Sequence, residues 1–199
     1  MSKIFEAINK ASIMHKDQYR KGGEVLHVFS HLCSVAFLLL EEGIKDDDII
    51  VAALMHDSIE DIPNYTFTNL ENDFGKRVMN IVQGVTEDND LSYKDKKESY
   101  LENLKHSSVE SLLVSLADKI HNSYSLIDMW KNKDTRDIGM SLFTLRQVTE
   151  TRIDFHLGVL AVAKKFEKNY KKAPRVKKVL INRLEKEVRL LKKVFEKGD

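Results

Sequence analysis

The sequence predicts an all-α fold, and three observations carry that prediction. Helix breakers are scarce, with 8 Gly and 2 Pro in 199 residues and no long segment rich in either. Apolar residues recur three and four positions apart along nearly every segment. The balance of 42% apolar to 32% charged residues is that of an ordinary soluble globular chain, long enough for one sizeable core.

Taken in order, the first helix is expected to start after Ser2 and stop at Gly22-Gly23, with Ile4, Ile8, Ala11 and either Ile13 or Met14 facing inward. "GGEVLHVF" reads as a loop, and Ser30 as the cap of a second helix that ends at Gly43. "DDDIIVAALMHDSIED" reads as one helix, its leading acids suited to the positive end of the dipole and its centre apolar all round. Pro63 closes it. "TFTNLENDFGKRVMNIVQGVTE" gives a fourth helix, capped by Thr68 or Asn69 and interrupted near Gly75. A polar stretch from Glu87 leads to a helix around "SYLENLKHS", and "VESLLVSLADKIHNSYSLIDMW" is again strongly periodic. One or two helices follow Asp134, and a last one follows Pro174 with apolar residues at 176, 179, 180, 184, 188, 191 and 195. No internal repeat or low-complexity tract is visible.

Single Cys33 excludes an intramolecular disulfide and suits a reducing compartment; it reads as a small core side chain. The N-terminus lacks the zones of a secretory signal, and "VAFLLL" and "IIVAALM" are too short to span a bilayer. A cytoplasmic protein is expected. The net charge of +1 is unevenly spread, since residues 164–199 carry 14 Lys/Arg against 5 Asp/Glu. This basic tail is expected to pack on the body or on a second subunit; a contact with nucleic acid is the less favoured reading.

The chemistry concentrates in "AALMHDSIEDIP". At helical spacing His56 lies over Glu60, and Asp57 over Glu60 and Asp61. Carboxylates crowded at the end of a buried helix need a positive neutraliser, and a divalent cation suits carboxylate oxygens and a neutral imidazole. Further ligands must come from elsewhere. Asp118 follows the apolar "LLVSLA", with His121, Asn122 and Ser125 after it at helical spacing. His31 stands in the first turn of an apolar helix.

The ordered pattern of His31, His56-Asp57 and Asp118 resembles the signature of HD-domain metal-dependent phosphohydrolases. "HKDQYRK", "HDSIED", "FGKRVMNIVQGVTE" and "LADKIHN" together resemble the hydrolase domain of RelA/SpoT-type enzymes, over roughly residues 5 to 130. That resemblance implies an HD-domain helical bundle with an additional basic C-terminal helix. It implies one Mn²⁺ held by His31, His56, Asp57 and Asp118, with Glu60 and Asp61 orienting and deprotonating the attacking water. Arg20 and Lys21 match a basic pair beside the guanine base, Asn122 matches a nucleotide contact, and Ser125 lies one turn on. The activity implied is removal of the 3′-pyrophosphate from guanosine 3′,5′-polyphosphates, without a synthetase; the alternative is another nucleotide or phosphorylated metabolite. The chain departs from the family where "GGEVLHVFSHL" lacks a Pro-Tyr pair before the first metal histidine. His27 then becomes a rival ligand, and His31 is preferred because "HLCSVA" keeps the family spacing.

A hydrolase domain over 1–163 and a basic helical extension over 164–199 are expected. The partner is a small nucleotide, with no membrane; a homo-oligomer stays open. His15 and His121 are read as packing residues, His106 and His156 as surface residues, and Trp130 as core or interface.

Overall fold

The computed structural model describes residues 2–20, 27–133, 140–167 and 175–198. In them the chain forms α1 (Lys3–Met14), α2 (Val28–Glu41), α3 (Asp47–Met55), α4 (Ser58–Asp61), α5 (Phe67–Phe74), α6 (Lys76–Gln83), α7 (Tyr93–His106), α8 (Val109–Lys131), α9 (Leu142–Lys165) and α10 (Val176–Lys197). The fold is all-α, as the helical periodicity predicts. A lone antiparallel bridge joins Tyr19 to His27. No helix among the described residues is long and apolar enough to cross a membrane.

α8 is the axis of the bundle. The run from Ser111 to Ile120 is buried throughout, because α2, α3, α6, α9 and α10 all pack around it. Any polar group in that run is therefore held deep in the molecule, and Asp118 and Lys119 are such groups.

Several helix ends differ from the sequence reading, each for a local reason. α1 stops at Met14, where buried His15 turns inward to donate from Nδ1 to Gln18 Oε1 at 2.6 Å. Gly22-Gly23 lies outside the described residues. Met14 packs on the core, and Ile13 is exposed. α2 begins before Ser30: His27 is its cap, Val28 N–H donates to the Gln18 carbonyl, and Ser30 Oγ donates to the His27 carbonyl.

α5 is capped by Thr66, not by Thr68 or Asn69. Thr66 Oγ1 accepts from the Asn69 N–H while Asn69 Oδ1 accepts from the Thr66 N–H, so Asn69 is the reciprocal partner in a capping box. Gly75, at φ 84°, supplies the left-handed residue between α5 and α6. α7 starts earlier than expected because Ser92 caps it, accepting from the Asp95 N–H.

α10 lays its apolar stripe on α8 and α9. Val176, Leu180, Leu184, Val188 and Leu191 are buried, whereas Val179 is exposed and Ile181 turns inward instead. The 163/164 boundary falls just before the end of α9. His156, expected at the surface, is fully buried in α9 and hydrogen-bonded to Ser123 Oγ at 3.0 Å. Trp130 belongs to the core, where its Nε1 donates to Thr149 Oγ1.

If α10 shares one core with α8, Leu184→Ala should lower stability by ~2–5 kcal/mol. Urea unfolding should then show one transition shifted as a whole; a separate early transition for the C-terminal helix would contradict a shared core.

Candidate active site

The site forms where the helix predicted over residues 46–61 breaks. At the joint, His56 Nδ1 donates to the Ala53 carbonyl at 2.8 Å and Ser58 Oγ donates to the Met55 carbonyl at 2.6 Å. Both side chains satisfy carbonyls at the end of α3, and α4 begins again at Ser58. His56 and Asp57, both still in right-handed helical backbone conformation, face His31 of α2 and Asp118 of α8 from this joint, so the site is assembled from three places in the chain.

His31 from α2, His56 and Asp57 from the α3–α4 joint and Asp118 from α8 meet there. His31 Nε2 lies 3.1 Å from Asp118 Oδ1 and 3.7 Å from Asp57 Oδ2. His56 Nε2 lies 3.2 Å from Asp57 Oδ1 and 3.7 Å from Asp118 Oδ1. Ligand atoms of His31, His56 and Asp118 all fall within 4.8 Å of one another. His27 is not part of this cluster; its ring stacks on Tyr19 at a centroid distance of 4.6 Å.

The donor set fits a divalent cation. The Ala53 carbonyl can only accept, so it holds the proton of a neutral His56 on Nδ1 and leaves Nε2 bare. That Nε2 is buried and has no hydrogen-bond partner among the described residues, although a carboxylate oxygen stands 3.2 Å away. A buried, unpartnered ring nitrogen crowded among carboxylate oxygens is what a ligand to a shared ion looks like. Two imidazole nitrogens and two carboxylates suit Mn²⁺ or a similar metal.

Electrostatics show the same demand for positive charge, which a proton on His56 meets when no cation is bound. Burial opposes a charge on His56, but Asp57, Asp118 and the Ala53 carbonyl outweigh it and raise its pKa to about 9. Burial and the Arg20 charge lower His31 to about 4. Asp118 stays well below the usual carboxylate range despite burial, held there by Lys119, His31 and His56. The cluster thus draws positive charge to itself.

Around it lies a cavity of about 520 Å³. Glu60 lines it, accepting from the Glu87 N–H at 2.8 Å; burial and then Asp57 raise its pKa to about 8. Asp61 lines it from an exposed position, and its carbonyl accepts from Gln18 Nε2 at 3.0 Å. His15, through Gln18, therefore braces the end of α4. Arg20 donates to Asn122 Oδ1 at 2.5 Å, while Asn122 Nδ2 donates to Asp118 Oδ1 at 2.6 Å. Ser125 lines the cavity and donates to the His121 carbonyl. Lys21 lies outside the described residues.

Sequence reading missed the basic groups of the cavity lining. Lys96, Lys97, Lys119 and Arg152 line the cavity as well. Lys97 pairs with Glu87 and sits over the Phe155 ring at 4.4 Å; burial, followed by Arg152, lowers its pKa to about 8. Lys119, inside "LADKIHN", pairs with Asp118 over the Tyr100 ring. Its place one residue after a candidate ligand was a usable signal. Lys96 and Lys97 sat in a stretch read as polar linker, and Arg152 had no companion in sequence.

A helical bundle with a His-His-Asp-Asp cluster, three of its members buried, beside further acids defines a class of metal-site proteins. The HD domain family model matches residues 7–145, and the chain belongs to that family. It is 42% identical over 120 residues to the guanosine-3′,5′-bis(diphosphate) 3′-pyrophosphohydrolase MESH1 of Xenopus tropicalis, and 40% identical over 120 residues to that of Danio rerio. Each match covers 60% of this chain and 66% of the relative, just under two thirds of the relative's length. The bifunctional (p)ppGpp synthase/hydrolase SpoT of Escherichia coli is 33% identical over 142 residues, 68% of this chain and 20% of that protein. A solved structure of a metazoan ortholog of SpoT that hydrolyzes ppGpp superposes with a TM-score of 0.71 at 24% identity, covering 94% of this chain and 95% of the other. That last likeness is one of fold.

Mn²⁺ at about 100 times its dissociation constant should stabilise the protein by about 2.7 kcal/mol. Thermal melts should show the rise, and His56→Ala should abolish it. Equal stabilisation of the variant would put the cation elsewhere.

Proposed function

We propose that the chain is a Mn²⁺-dependent pyrophosphohydrolase that removes the 3′-pyrophosphate from guanosine 3′,5′-polyphosphates. The observation that carries this reading is one cavity that holds both kinds of group. The His31–His56–Asp57–Asp118 cluster and Glu60 line it together with Lys96, Lys97, Lys119 and Arg152, and Lys119 pairs directly with Asp118. A substrate with several phosphates would place its reacting phosphorus at the cluster and its remaining charge among the lysines and the arginine. The names of the frog, zebrafish and bacterial relatives support the same substrate.

Water attacks the phosphorus attached to the 3′-oxygen, and the bond from that phosphorus to the 3′-oxygen breaks. The products are pyrophosphate and a nucleotide with a free 3′-hydroxyl. A cation held by His31, His56, Asp57 and Asp118 would supply Lewis-acid charge that makes water easier to deprotonate and offsets charge on the phosphoryl oxygens. Glu60 and Asp61 orient the water and take its proton. Burial and Asp57 raise the proton affinity of Glu60, so its carboxylate form is a stronger base than an exposed glutamate, and a cation in the cluster would offset the Asp57 charge and favour that carboxylate form. Arg20 and Asn122 link the substrate cavity to Asp118 through their shared hydrogen bonds. Arg20 packs beside the base, and Asn122 and Ser125 contact the nucleotide.

Incubation with guanosine tetraphosphate and Mn²⁺ should release GDP and pyrophosphate. Turnover of deoxynucleoside triphosphates or nucleoside monophosphates with the alarmone untouched would select the other phosphohydrolase reading. Glu60→Gln combined with Asp61→Asn should lower kcat by about 10²–10⁴-fold while Mn²⁺ affinity is kept. An unchanged rate would mean that another group activates the water. Arg152→Met should mainly raise KM, measured in steady-state assays.

A further inference from the structure

The proposed chemistry leaves His121 without a task, yet its ring meets a candidate ligand directly. His121 Nδ1 lies 2.8 Å from His31 Nδ1, with the ring centroids 4.8 Å apart. Two such nitrogens at hydrogen-bond distance share one proton, because two N–H groups or two bare lone pairs would repel. The rings must therefore be complementary, one donating and one accepting.

Which ring donates is set by the other nitrogen of His31. His31 Nε2 faces the cluster, 3.1 Å from Asp118 Oδ1 and 3.7 Å from Asp57 Oδ2. It can bind a cation only with a bare lone pair, which puts the His31 proton on Nδ1. For His56 the Ala53 carbonyl makes that choice, since a carbonyl only accepts. His31 Nδ1 faces an imidazole instead, which can do either. His121 comes three residues after Asp118 on the same face of α8, so one helix supplies both a candidate ligand and the partner of another.

We propose that His121 is a positioning residue: by accepting from His31 Nδ1–H, it presents His31 Nε2 bare to the metal ion. The proposal rests on the reading of His31 as a ligand. It requires neutral His121 to carry its own proton on Nε2. Outer partners of this kind commonly fix the tautomer of a ligating histidine, and their loss costs about 10–100-fold in metal affinity.

Two variants and one spectroscopic measurement test it on the full chain. His121→Phe keeps a ring and removes the acceptor; His121→Asn keeps an acceptor oxygen near the place of Nδ1. Calorimetric titration with Mn²⁺ should show about a 10–100-fold loss of affinity in the Phe variant and near-native affinity in the Asn variant. Nitrogen-15 NMR of histidine-labelled native protein loaded with Zn²⁺, which is diamagnetic, should find His31 protonated on Nδ1 and His121 on Nε2. The NMR result stands even if the Phe variant fails to fold. Native affinity in a folded Phe variant, or His31 protonated on Nε2 in the loaded protein, overturns the proposal. Neither measurement uses the alarmone. A native protein that binds Mn²⁺ through this pair but leaves the alarmone intact would sink the substrate assignment and spare His121.

Discussion

The structure depends on balancing negative charge where water has little access. Asp118 is buried at the middle of α8 and Asp57 faces it from the α3–α4 joint. Isolated carboxylates in such a setting are costly, and they persist only when paired and hydrogen-bonded. Lys119 pairs with Asp118 from the next residue, Asn122 donates to it, and Arg20 is drawn down beside it through Asn122. These groups hold the carboxylate in place, while the imidazoles of His31 and His56 turn their Nε2 atoms towards Asp118 Oδ1. The arrangement is a receptor for one more positive charge.

Secondary structure is arranged to meet that need. The joint after Met55 carries His56 and Asp57, and the short α4 that follows holds Glu60 and Asp61 at the cavity edge. The loop after α6 then closes on α4: the Glu87 N–H donates to Glu60 Oε1 and Asn89 Nδ2 donates to the Glu60 carbonyl. The same Glu87 pairs with Lys97, so one residue holds both Glu60 and a basic group of the cavity lining.

Much of this was legible in the sequence because it rests on local signals. Apolar periodicity located α8 and α10, and an acid placed straight after "LLVSLA" marked Asp118 as a candidate ligand. The motif order singled out His31, His56, Asp57 and Asp118, and these four meet. What the sequence concealed depended on contacts distant along the chain. The joint at His56 arises from two side chains capturing carbonyls behind them, which no propensity scale registers. His156 looked solitary until Ser123, 33 residues away, proved to be its partner. Lys97 and Arg152 share a cavity wall only because α7 packs on α9. The His31–His121 pair is of the same kind, two residues 90 positions apart whose ring edges meet.

The most direct test of this account is an anomalous difference map from crystals soaked in Mn²⁺, recorded on either side of the manganese edge. The account predicts a single strong peak among His31 Nε2, His56 Nε2 and the carboxylates of Asp57 and Asp118. A map with no peak there, or with the ion bound at other residues while those four side chains keep their places, would contradict it.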